Sequence, residues 1–184
     1  MPADSMILSP PRAQALAERP WFNALWFQTT WFCTVLGRDA LLPASLALIA
    51  LHLWLVPRRG RELAQLALLG GLGMLLDTAL SLTGVFVFPG DVILPAWLAC
   101  LWLAFVTTPG RSLAFLAPRP WLIAVLGALV VPFNYYAGSQ FGAVSFGVPV
   151  WQALLIMALA WSLLLPALYW LYGRLFAPGE ERLP

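Results

Sequence analysis

The stretch Leu63–Gly84, LAQLALLGGLGMLLDTALSLTG, constrains the fold more than any other part of the chain. A bilayer core takes about 20 consecutive apolar residues as a helix, and this run supplies them around a single carboxylate, Asp77. At about 100° per residue, Gly70, Gly73, Asp77, Ser81 and Gly84 fall within an arc of roughly 80°. Leu68, Leu69, Leu72, Leu75, Leu76 and Leu82 occupy the other side. Lipid solvates leucine as well as protein does, whereas small residues let helix backbones approach closely. The glycine face is therefore expected to look inward, with Asp77 on it. An aspartate near the bilayer centre costs about 2.5–3.5 kcal/mol on insertion scales and must find a proton, a partner or water. It reads either as a hydrogen-bonded tie between helices or as a proton, ion or ligand site. No other carboxylate reads as lying clearly within a span.

Of the 184 residues, 61% are hydrophobic and 10% charged, far from the soluble norm of roughly 45–50% and 25%. The expectation is one all-α membrane domain over residues 21–173, with a short irregular lead-in (1–20) and a short tail (174–184). The lead-in has no basic start followed by an apolar core, so it does not read as a signal peptide. A net charge of +2, with every basic residue an arginine, carries no nucleic-acid message. Cys33 and Cys100 fall inside apolar runs and read as small hydrophobes. No spacing of Cys, His and acid resembles a metal site, and no cofactor is expected.

Six spans follow in order. They run over Trp21–Leu36, Leu41–Val56, Leu63–Gly84, Pro95–Thr108, Trp121 past Pro132 to about Gly142, and Val150–Tyr172. The first has Asn23, Phe27, Thr30, Thr34 and Gly37 on one face, with Gln28 off that stripe near mid-membrane, where it reads mainly as structural glue. His52, near the end of the second, reads as an interfacial or hydrogen-bonded side chain. The fifth is expected to kink at Pro132 and to carry Gly127, Val131, Asn134, Gly138 and Gly142 on one face, the last two as a helix-packing G-x-x-x-G.

The arginines orient the chain. With six spans, Arg12, Arg19, Arg58, Arg59, Arg61, Arg111, Arg119, Arg174 and Arg182 lie on one side and Arg38 alone on the other. The positive-inside rule then makes both termini cytoplasmic. Asp77 and Asn134 fall in the outer half of the membrane and Asn23 near the cytoplasmic surface. The candidate ligand or proton site is an inward polar cluster: Asp77, Asn134 and Thr34 as an outward-opening pocket, with Asn23, Gln28 and Ser81 as further candidates.

Asn23 with Phe27-Gln28 and Trp31-Phe32, Asp77, Pro95-Ala96-Trp97-Leu98, Leu101-Trp102 and Phe105 form an ordered series. Ser112-Leu113, Pro132, Tyr135-Tyr136 and Gly138 with Gly142-Ala143 continue it. Together they resemble a bacterial inner-membrane family known as domain of unknown function 2878, over roughly Trp21–Phe146. The resemblance implies a compact multipass protein of the bacterial inner membrane with no assigned activity. It also implies genes encoded beside membrane fatty-acid-modifying enzymes of the cyclopropane-synthase type and flavin oxidoreductases. The family pattern has a polar pair with a histidine before Ser112-Leu113, where this chain has Pro109-Gly110-Arg111.

Three functions compete. Binding or transport of a small molecule or lipid comes first; in size and span count the chain is similar to the substrate-binding subunits of energy-coupling-factor vitamin transporters. Its partners would be membrane lipids and a further membrane or cytoplasmic subunit. The alternative is an enzyme or accessory subunit of membrane fatty-acid or lipid modification. For that, Asp77 supplies one acid, but no nucleophile and no phosphate-cradling loop stands out. A scaffold presenting its arginine loops to soluble enzymes comes last. Whether the protein is an enzyme stays open at this point.

Overall fold

The structure is a computed structural model and describes residues 11–177. Expectations for the first ten residues and for 178–184, including Arg182, lie outside it. A short helix α1 (Pro11–Ala17) stands in the lead-in that its prolines marked as irregular, with Pro11 at the first helical position, where proline fits. Six longer helices follow: α2 (Pro20–Val35), α3 (Leu42–Leu55), α4 (Arg59–Leu82), α5 (Ala96–Phe105), α6 (Pro120–Gln140) and α7 (Val150–Leu175). Helix thus accounts for about three quarters of the described residues.

Prolines start these helices and glycines stop them. Pro20 and Pro120 occupy first-turn positions, where the missing N–H costs nothing. Gly84 (φ +75°) and Gly142 (φ +70°) take left-handed conformations just past α4 and α6. After each glycine the next amide reaches back five residues, Val85 to Leu80 and Ala143 to Gly138, closing a Schellman turn. Pro132 and Pro166 are carried inside continuous helices. In α4 the turn widens to π geometry at Leu66–Gly70.

Four segments are long and apolar enough to cross a membrane: Arg38–Leu55, α4, α6 and α7. Helix α2, at 16 residues, rises about 24 Å, and α5, at 10, about 15 Å, against a core of about 30 Å. The fourth expected span is thus half a span. Its chain approaches through Val85–Leu94, a loop whose Phe86 and Phe88 are buried, and Phe86–Val87 (β1) pairs antiparallel with Ser145–Phe146 (β2).

The surface suits lipid. Trp21, Leu25, Leu75, Leu129, Leu159 and Leu163 are among many large apolar side chains left exposed. Leu68, Leu75 and Leu82 point outward as expected, but Leu69, at the flank of the glycine face, is fully buried. Helices α6 and α7 pack along their length. Gly127 makes this possible, since a Cβ there would sit 2.4 Å from the Trp161 carbonyl oxygen. The expected G-x-x-x-G contact does not form. Gly142 lies beyond the end of α6, where its carbonyl accepts a hydrogen bond from Arg38, and Gly138 faces only Ala143.

The arginine-bearing segments gather at one end of the bundle. Arg111 bridges Glu18 of the lead-in and Glu62 of α4, and Tyr172 and Phe176 of the final helix line the same cavity. Arg38 sits at the other end with Gly142.

Candidate functional site

Asp77 is completely buried at the meeting of α4, α5 and α6. Its Oδ2 accepts hydrogen bonds from Trp102 Nε1 (2.6 Å) and Tyr135 Oη (2.5 Å), while Oδ1 has no partner among the described residues. The Trp102 ring lies against Gly73, where any Cβ would collide with it at 2.1 Å. Glycine at 73 therefore lets the indole reach the carboxylate one turn further on. Trp102 stacks on Trp161 (centroids 4.9 Å apart, 6° between planes), and Tyr135 stacks on Phe86 (4.8 Å, 14°). One carboxylate oxygen thus fixes two rings from two other helices.

Those rings form the floor of a groove of about 370 Å³ between α2 and α6. Phe27, Gln28 and Trp31 line one side, Val130, Val131 and Asn134 the other, and Trp102, Phe105, Tyr135 and Trp161 the base. A smaller hollow past Trp31 and Asn134 continues it toward Val144. The groove is mainly apolar and within the roughly 300–1,000 Å³ range of small-molecule sites. Gln28, midway along α2, and Asn134, in the second half of α6, bring amides to its rim. Asn134 Nδ2 donates to Val130 O on its own helix (2.8 Å), whereas the Gln28 amide has no hydrogen bond among the described residues.

A second polar cluster occupies the arginine-rich end. Glu62 was expected to lie clear of the spans but is 6% exposed inside α4, which corrects the view of Asp77 as the only such carboxylate. Arg111 clasps it with two parallel hydrogen bonds of 2.9 Å, and His52 Nε2 lies 2.7 Å from Oε1. His52 also stacks on Trp26 at 4.7 Å. Burial lowers the Arg111 pKa, but its contacts with Glu62 and Glu18 more than compensate, and the net shift is upward, so it stays a cation. Arg111 is therefore a buried structural ion, not the solvated topology signal its loop position suggested.

The predicted residues separate into three places. Asp77 and Asn134 belong to the groove, behind and beside Tyr135, and Gln28 faces them from α2. Asn23 lies at the other cluster, donating to Thr107 Oγ1 (2.9 Å) and accepting from Ser112 Oγ (2.6 Å). Thr34 is buried and bonds only its own helix, at Thr30 O and Trp31 O, and Ser81 is half-buried one turn past Asp77. Trp102 and Tyr135 did not emerge as partners of Asp77, and no sequence spacing links them to it. Glu62 had a signal: it lies eleven residues, about three turns, before Gly73 on the same face. Among the described residues no three His, Cys, Asp or Glu side chains group as metal ligands.

Residues 20–167 match the family described as Protein of unknown function (DUF2878). The chain belongs to that family. The matched DUF2878 region spans the groove, Asp77 and the Glu62–Arg111 pair. No curated protein matches the chain, and no solved structure does.

Proposed function

We propose that this DUF2878 protein binds a lipid-borne amphiphile in the groove between α2 and α6, for storage, presentation or transfer in the membrane. The observation that carries this reading is the pair of amides on the rim of an aromatic groove, Gln28 midway along α2 and Asn134 about two thirds of the way along α6. An amide facing hydrocarbon without a partner is costly, so the Gln28 position favours an occupant that brings a hydrogen-bonding group of its own. Aromatic and aliphatic walls suit an acyl or isoprenoid chain, and the two amides suit an ester, amide or hydroxyl. Asp77 acts behind the groove as a positioning residue. By accepting from Trp102 and Tyr135 it holds both rings against the ligand face.

In this reading all six longer helices traverse a bacterial inner membrane, α5 with the help of its loop. The arginine-rich end faces the cytoplasm by the positive-inside rule. A transport or lipid-modification partner would then meet the ligand at the groove mouth.

Native mass spectrometry of the protein extracted in mild detergent tests the proposal. Gln28→Leu with Asn134→Leu removes both amides and keeps an apolar rim. A co-purifying lipid class of the wild type should fall about tenfold in the double variant, the loss expected for one to two hydrogen bonds. An identical retained-lipid profile from an equally folded variant would sink the reading.

A further inference from the structure

The arginine-rich end holds a second, separate cavity of about 320 Å³, walled by Glu18, Glu62, Arg58, Arg61, Arg111 and Tyr172 with an apolar side at Phe176. We infer that this cavity binds a phosphate-bearing ligand. Three independent features converge on that chemistry.

The charges come first. Arg111 is neutralised by Glu62 and Glu18, both within 2.9 Å. Arg58 and Arg61 have no carboxylate within ion-pair distance among the described residues. With three guanidinium groups against two carboxylates the cavity lining is net cationic, and guanidinium matches the oxygens of a phosphate in bidentate fashion. The second feature is the start of α4. This helix of 24 residues begins at Arg59 without a side-chain cap, so its first amides lack intrahelical acceptors at the same place. Beside them Gly60 has nothing within 4 Å of where a Cβ would stand, which leaves the helix start open to approach. The third is the Tyr172 hydroxyl at the cavity wall, which lies against Gly110, has no hydrogen bond among the described residues and supplies a neutral donor.

The Glu62–Arg111 pair explains how the site stays assembled while empty. It holds the α5–α6 loop against α4 from within, leaving Arg58 and Arg61 free to close on an incoming anion. Basic hollows between membrane helices take anionic headgroups in general, and a soluble phosphorylated molecule carries the same group. The chemistry is shared, and the source is for experiment to separate.

The test uses the full-length protein, delipidated in neutral detergent, and two probes: phosphatidylglycerol followed by native mass spectrometry, and inorganic phosphate followed by calorimetry. Arg58→Gln with Arg61→Gln removes both free cations. Arg119→Gln, at the same end but outside the cavity wall, is the control. Because arginines also orient membrane insertion, Arg58→Lys with Arg61→Lys serves as a second variant that keeps the charge and loses the fork. The Gln variant should weaken binding at least tenfold, the Lys variant should fall between it and wild type, and Arg119→Gln should stay within twofold. Loss confined to phosphatidylglycerol assigns a lipid headgroup, and loss of both probes assigns a phosphate carried in solution. Wild-type affinity for both probes in the Lys variant and in a folded Gln variant would overturn the inference, as would an equal loss in Arg119→Gln.

Discussion

Replacing Glu62 by Ala leaves buried His52 without its carboxylate and buried Arg111 with only the more exposed Glu18. Breaking one side of a buried pair costs about 3–5 kcal/mol when the remaining charge is left uncompensated, and the Glu18 contact sets this loss toward the lower end. The Arg111→Ala change should do comparable damage, and the double variant should be more stable than the sum of the two singles by about 0.5–3 kcal/mol. Detergent-titrated unfolding of the four proteins measures this; additivity would mean the two side chains are not coupled. At this scale the sequence says which residue is costly but not what satisfies it. Asp77 stands out because a lone carboxylate in an apolar run needs a partner. Its donors, Trp102 and Tyr135, lie 25 and 58 residues away, and helical spacing assigns a face to each residue without saying which helix meets that face. Glu62 was overlooked for a different reason: it sits beside three arginines, in a stretch that reads as solvated.

Helix by helix, the two kinds of glycine should respond oppositely to alanine. Gly127→Ala drives a methyl into the Trp161 carbonyl, a backbone atom that cannot swing aside, and separates α6 from α7. A cost of about 1–3 kcal/mol is expected. Gly71→Ala meets nothing within 4 Å and removes a flexible residue from α4, so it should stabilise by about 0.5–1 kcal/mol. Melting temperatures of both variants in one detergent decide the matter, and equal shifts would refute this packing. The helix starts were legible because proline is tolerated in a first turn and little else explains it there. The ends were harder. Gly138 and Gly142 show the spacing of a packing motif, yet Gly142 is the left-handed residue that stops α6, and composition alone does not tell a stop from a contact. The brevity of α5 was hidden for a related reason, since the chain before it, Val85–Phe88 and Val92–Leu94, is apolar without being helical.

Across the whole molecule, single cysteines at Ala117 and Val92, both exposed, should label from opposite faces of sealed vesicles, Ala117 with the arginines. Labelling of both from one face would break the proposed topology. That Arg58, Arg61 and Arg111 share one end was legible, because charge distribution survives ignorance of packing; the groove was not, since it exists only where the first and fifth long helices flank a floor made by others. That layout has a consequence for how the chain is made. Its acids are synthesised before the arginine they share: Glu18 precedes Arg111 by 93 residues, and Glu62 precedes it by 49. At about 5–20 residues per second, Glu62 waits about 2–10 s for its cation. For that interval Glu62 has only His52, and Asp77 still lacks the Tyr135 donor, which leaves α4 poorly suited to release into lipid. Its natural course is to linger at the insertion machinery until the α5–α6 segment emerges, so that the order of translation becomes a step in assembling the membrane domain.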